Sequence, residues 1–227
     1  DKKLDAFFLH AYNKEKEMIL ARFFKTVPGQ YGEGDKFIGV NVPALRALAK
    51  EYGEIGDTFL EELLASPYHE IRLLGALIMT ARYERAKTEK DRLAALNFYL
   101  RHRFALNNWD LVDGTVYKVW GDYLLKKKKK RKDLYRFARS KNLWERRLAV
   151  VATMALIKAG QFKEILDLSA MLLDDKEDLM HKAVGWMLRE LGKKDKAVLV
   201  DFLKEYSARL PRTALRYAIE RFPEAAR

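Results

Sequence analysis

The chain has 227 residues, 49% hydrophobic and 33% charged, with 44 Lys plus Arg against 32 Asp plus Glu, a formal net charge of +12 and no cysteine. That is enough apolar material for a sizeable core and too much for a disordered chain. The lack of cysteine excludes disulfide frameworks, thiol catalysis and cysteine metal sites, and the cationic excess favours a polyanionic partner, nucleic acid first.

The first segment, DKKLDAFFLHAY, lacks the regions of a signal peptide, and the longest apolar run, LAVVATMALI (148–157), is about half of what a bilayer span needs. A soluble, cytoplasmic protein with no membrane contact is expected. An N-terminal helical pair precedes the long irregular, glycine-rich segment PGQYGEGDKFIGVN (28–41). Asn41 then caps VPALRALAKEYG, which stops near Gly53, and Ser66-Pro67 introduces YHEIRLLGALIMTARY. After NNWDLVDGT (107–115), the helical VYKVWGDYLL runs into KKKKKRK (126–132). That run reads either as a solvated, mobile loop or as a contact to a DNA backbone. Asn142 caps LWERRLAVVATMALI, which stops at Gly160, AVGWMLREL stops near Gly192, and ALRYAIERF closes the chain. Apolar residues recur three and four apart throughout, and no stretch alternates as a strand would.

A chain of consecutive helix pairs invites a search for repeats. Aligning the second helices stacks Arg72, Asp113, Arg147, Lys182 and Arg212 in one column, with steps of 41, 34, 35 and 30 residues. These suit degenerate HEAT-like repeats. The expected fold is an all-α HEAT-like helical repeat solenoid, one domain over residues 1–227, curved with a basic concave face. Basic residues near a helix N-terminus oppose the macrodipole, so something outside each helix should compensate them, and a row of cations along a groove could follow phosphates. Arg72, Lys182 and Arg212 are therefore the expected DNA-binding residues.

Asp113 is the one acid in that column. Asp110 and Asp113 could form a capping arrangement at a helix start; Asp110 fits that role, whereas Asp113 stands where every other aligned repeat is basic. Trp109, Trp144 and Trp186 lie three or four residues from their column members, on the same helical faces. Each could be packing alone, but together they suggest a cleft in which indoles contact sugar or base. The four histidines, His10, His69, His102 and His181, show no metal-ligand spacing and read as surface or structural residues.

FIGVNVPALRALAK (37–50), NNWDLVDG (107–114), NLWERRLAVVA (142–152) and HKAVGWMLRE (181–190) together make the chain resemble the AlkD-like bacterial alkylpurine DNA glycosylases, which are built from HEAT-like repeats. The resemblance implies hydrolysis of the N-glycosidic bond of cationic lesions such as N7-methylguanine and N3-methyladenine in double-stranded DNA. No metal, no cofactor and no base-flipping pocket is implied. By position it makes Asp113 catalytic and Trp109, Trp186 and Arg147 substrate-binding. Phe23 offers no hydroxyl where characterised members can have a tyrosine, and KKKKKRK has no counterpart in the family's pattern.

The chemistry is consistent with that resemblance. A purine alkylated at N7 or N3 is already a good leaving group, so the barrier left is charge development on the sugar. A carboxylate about 4 Å away could offset it by roughly 4 kcal/mol at an effective dielectric near 20. Arg147 would anchor a phosphate. A monomer is expected. The rival reading is a non-enzymatic repeat scaffold that binds nucleic acid or an acidic protein.

Overall fold

The computed structural model describes residues 1–224. Among them the regular elements are helical, and the one β-type pairing is an isolated bridge between Lys36 and Tyr68. The protein is all-α. The sequence predicts one domain; the backbone groups the chain into two compact units, Asp1–Leu111 and Val112–Arg227.

The first unit opens with α1 (Lys2–Ala11) and α2 (Lys14–Phe23), capped by the side chains of Asp1 and Asn13. α2 buries none of its own residues and leaves Met18, Ile19 and Phe23 exposed. α3 (Val42–Glu51) starts where Asn41 accepts from the Ala44 amide, as its sequence predicts, and lays Leu45 and Leu48 against α5. α4 (Asp57–Leu64) packs Leu60, Leu63 and Leu64 on the same partner. α5 (His69–Arg85) is therefore buried almost all round. At Gly75 an added Cβ would lie 2.9 Å from Leu64 Cδ2, so a larger residue would have to displace the Leu64 side chain. α6 (Glu89–Arg101) follows its Thr88 cap and covers another side of α5.

α7 (Trp109–Asp113) is only five residues long and carries the chain into the second unit. A π-helical turn at Tyr117–Gly121 leads into α8 (Asp122–Lys126), and such turns often mark functional segments. A short 3-10 turn, Lys128–Arg131, connects to α9 (Lys132–Ala138). Asn142 caps α10 (Leu143–Ala152), again as predicted. The Thr153 hydroxyl donates to the Val150 carbonyl and separates α10 from α11 (Met154–Lys158). Gly160, at φ 71°, ends that run: its amide reaches Ile157 O and that of Gln161 reaches Leu156 O.

α12 (Lys163–Met171), α13 (Asp178–Lys194), α14 (Lys196–Tyr206) and α15 (Arg212–Ala218) complete the unit, with α13 packed against all the others and against α10 and α11. A Cβ at Gly185 would sit 2.5 Å from Ala214 O, which is why α13 and α15 can approach so closely. Gly192 lies two residues before the end of α13, near the stop that its sequence suggests. There it admits Leu199.

Candidate functional site

In the first unit the glycine-rich segment is tied to the start of α5. The Glu70 carboxylate accepts from the amides of Ile38 and Gly39 (3.1 and 2.7 Å), and the His69 amide donates to Lys36 O. Gly39 adopts φ 98°, a conformation that L side chains rarely reach. This fixes Asp35 over the first turn of α5. Its carboxylate accepts from Arg72 Nη2 (2.5 Å) and Asn108 Nδ2 (3.1 Å), and it faces His69 Nδ1 at 3.1 Å. The other ring nitrogen, His69 Nε2, lies 2.8 Å from the Asp110 carboxylate.

Burial pulls the His69 pKa down, but the two hydrogen-bonded carboxylates outweigh it and push the ring up to about 9. Burial likewise works to raise Asp35, and its contacts with His69, Arg72 and Asn108 hold it below the usual carboxylate range. A ladder of rings continues from this charge network. Phe37 stacks on His69 (4.9 Å between centroids) and on Phe24 (5.1 Å), and Phe24 stacks on Trp109 (5.4 Å, 16°). Exposed Phe23 meets the same indole edge-on at 6.0 Å. The half-buried Trp109 is thus held by rings beneath it, and the residue after it is held by His69.

In the second unit Asp113 ends α7 and is clasped by α10. Arg147 Nε donates to Asp113 Oδ1 (2.9 Å) and Nη2 to Oδ2 (2.7 Å), while Nη1 donates to the Leu179 carbonyl. The pair is mostly buried, with side-chain exposures of 5% for Arg147 and 15% for Asp113. Two parallel bonds from a planar guanidinium orient a carboxylate more tightly than a lysine could. On α13, Lys182 pairs with Asp178 (2.7 Å), and Trp186 is half-buried one turn later.

The predicted column is only partly a surface row. Arg72 is 5% exposed and held by Asp35 and the Ser66 carbonyl, so the expected exposed cation is a buried one. Arg147 is engaged by Asp113 rather than left open to a phosphate. Arg72, Arg147 and Lys182 thus find their compensating acids within the protein. Register separates the last member as well: Arg72 is the fourth residue of its helix, and Asp113, Arg147 and Lys182 are fifth, but Arg212 is first in α15. The fifth place there belongs to Arg216, which sequence alignment missed; both Arg212 and Arg216 are exposed.

One further expectation changes, that for Asp110. Asp113 sits at the last residue of α7, so it is not a first-turn acid. Asp110 is in the first turn, and its carboxylate accepts from the Leu111 amide and holds His69 instead of forming the expected cap. The cluster of His69, Asp35 and Asp110 went unrecognised because Asp35 and Asp110 lie 34 and 41 residues from His69, with no motif to join them. Among the described residues, no three His, Asp or Glu side chains group as metal ligands, and no helix is long and apolar enough to cross a membrane.

These features define an all-helical protein of paired helices with a carboxylate and guanidinium locked together at the end of a short helix. Residues 5–222 match the DNA alkylation repair enzyme family, and the chain belongs to that family. No curated protein matches it. Among solved structures it is similar in fold to a predicted DNA alkylation repair enzyme from Enterococcus faecalis, with a TM-score of 0.71 and 18% identity, covering 94% of this chain and 97% of that one.

Proposed function

We propose that the protein is a DNA glycosylase that hydrolyses the N-glycosidic bond of cationic alkylated purines, N7-methylguanine and N3-methyladenine, in duplex DNA. The observation that carries this reading is the Asp113–Arg147 pair: a carboxylate held rigidly by two hydrogen bonds, in a chain of the DNA alkylation repair enzyme family. In the reaction the bond between C1′ and the purine nitrogen breaks and its electron pair leaves with the base, which becomes neutral. Water adds to C1′ and gives up a proton, for which Asp113 is the base. Trp109 and Trp186 bind lesion and sugar, and the cationic base is attracted to their ring faces. Arg212 and Arg216, exposed on α15, contact phosphates.

Arg147 reduces what Asp113 can do by field alone. At an effective dielectric near 20, a sugar cation about 4 Å from the carboxylate gains roughly 4 kcal/mol. A guanidinium about 8 Å away on the far side takes back roughly 2 kcal/mol. About 2 kcal/mol is left, near thirtyfold in rate. General-base help to water supplies about a further hundredfold.

Asp113→Asn keeps the Arg147 charge, so it forfeits the whole of that roughly 4 kcal/mol together with the general base, and single-turnover release of N7-methylguanine should fall by about 10⁵-fold. The substitution also leaves the Arg147 charge poorly compensated, so the thermal midpoint falls. The double variant Asp113→Asn, Arg147→Gln removes both charges, restores stability and recovers about thirtyfold of the lost release, leaving it still about a thousandfold below wild type. A scaffold in which the pair is purely structural predicts no base release above spontaneous depurination from the wild-type protein. Folded Asp113→Asn with near wild-type release would remove Asp113 from the chemistry.

A further inference from the structure

The run Lys126–Lys132 is not a slack loop. Arg131, 8% exposed, is held by the carbonyls of Leu124 and Leu125 (3.0 and 3.4 Å), by Glu164 (3.0 Å) and by Gln161 (2.5 Å). The amides of Lys127 and Lys130 close the turn onto Tyr123 O and Lys127 O. Around that anchor Lys128, Lys129, Lys130 and Lys132 are exposed, and none makes an ion pair or side-chain hydrogen bond among the described residues. Some exposed lysines elsewhere in this unit find acids three or four residues away, Lys163 with Asp167, Lys193 with Glu190 and Lys204 with Asp201, whereas others such as Lys141 and Lys176 stand singly rather than in a cluster. Four unpaired ammonium groups fixed on one ordered turn repel one another, and a polyanion would relieve that repulsion.

Their place in the second unit separates them from the Asp113 site. Lys126 lies thirteen residues past Asp113, about 20 Å along a helical path. α9 then runs back, so that α10 brings Arg147 to Asp113. The lysine turn is thus set apart from the Asp113–Arg147 pair by the length of that helical path. About 20 Å is two Debye lengths at 0.1 M salt, so these lysines exert little field on a sugar beside Asp113.

We propose that the Lys128–Lys132 turn is a second DNA-binding surface, which takes the phosphate backbone of an undamaged duplex segment while the Asp113 edge engages the lesion. The proposal rests on the glycosylase reading only for that first duplex. Holding a second segment would let the protein move between stretches of DNA during a search.

The test is bridging. A donor-labelled short duplex carrying N7-methylguanine and an acceptor-labelled undamaged duplex are mixed with wild-type protein, with the triple variant Lys128→Gln, Lys129→Gln, Lys130→Gln, and with the matching triple arginine variant. Wild type and the arginine variant should bring the labels together; the glutamine variant should not. It should also bind undamaged duplex about tenfold more weakly, with the slope of log affinity against log salt reduced by two to three. Its rate of base release at saturating protein should be unchanged. Bridging by the glutamine variant, an unchanged salt slope, or absence of bridging by wild type would overturn the proposal, as would loss of binding to phosphatidylglycerol vesicles with DNA affinity unaltered. A wild-type protein that bridges duplexes but releases no base would instead count against the glycosylase reading alone.

Discussion

Both ring nitrogens of His69 face carboxylate oxygens, which only accept, so both must carry protons and the ring is an imidazolium. Its pKa rises from 6.5 to about 9 on folding, and this fixes the direction of a pH effect. Below pH 6.5 folded and unfolded states both hold the proton and the stabilisation is complete. Between 6.5 and 9 only the folded state holds it, so stability falls by about 3 kcal/mol across that window. The thermal midpoint of wild type should drop from pH 6.5 to 9, whereas His69→Gln should start lower and stay flat. Equal slopes in the two proteins would mean that His69 is not the group responsible. Asp113 and Arg147 could be singled out from the sequence because each sits in a short motif with a tryptophan. His69 could not, since its partners Asp35 and Asp110 are adjacent to it only in the folded first unit.

At the scale of elements, caps and glycines were legible where they act locally. Asn41 and Asn142 bond amides two or three residues on, and Gly160 closes its own helix, so neighbouring residues suffice to read them. Gly185 and Gly192 serve approaches by α15 and Leu199, which local sequence does not encode. The pairing of α10 with α7 is of this second kind, and it engages Arg147 with Asp113 and the Leu179 carbonyl. Arg147→Lys keeps the charge but gives up the two-pronged grip on Asp113. Base release should fall by about tenfold or more, because the carboxylate loses its fixed orientation. Affinity for undamaged duplex, and its salt slope, should hold within about twofold, since the arginine spends its donors on Asp113 and Leu179. If Arg147 anchored a phosphate, affinity would fall and release from the bound complex would not. Measuring both on one preparation separates the two roles.

For the whole molecule, helical periodicity was enough to give an all-α chain of helix pairs, because apolar residues recur three and four apart in segment after segment. Which column members face solvent was not legible, because the acids that neutralise Arg72 and Arg147 come from other elements. The same placement limits the chemistry available. His69 is 2% exposed and fixed between two carboxylates, His102 packs at a tilt against Phe98, and the ring of His181 bonds the Asp175 carbonyl. These three histidines are committed to the fold, and the fourth, His10, is exposed in the last turn of α1, about a hundred residues before Asp113 in the chain. Cationic N7-methylguanine needs no proton from a histidine, because the bond to the sugar breaks to give a neutral base. Uracil and hypoxanthine leave as anions unless an acid assists them, and general-acid help is commonly worth a hundredfold or more. Single-turnover release of N7-methylguanine from duplex DNA should therefore exceed release of uracil or hypoxanthine from matched duplexes by at least about a hundredfold. Because the base is expelled without proton transfer to it, the rate should show no limb that falls as a leaving-group acid loses its proton between pH 6 and 8. Comparable rates on uracil and N7-methylguanine would require a proton donor that the three committed histidines do not supply, and would overturn the proposed mechanism.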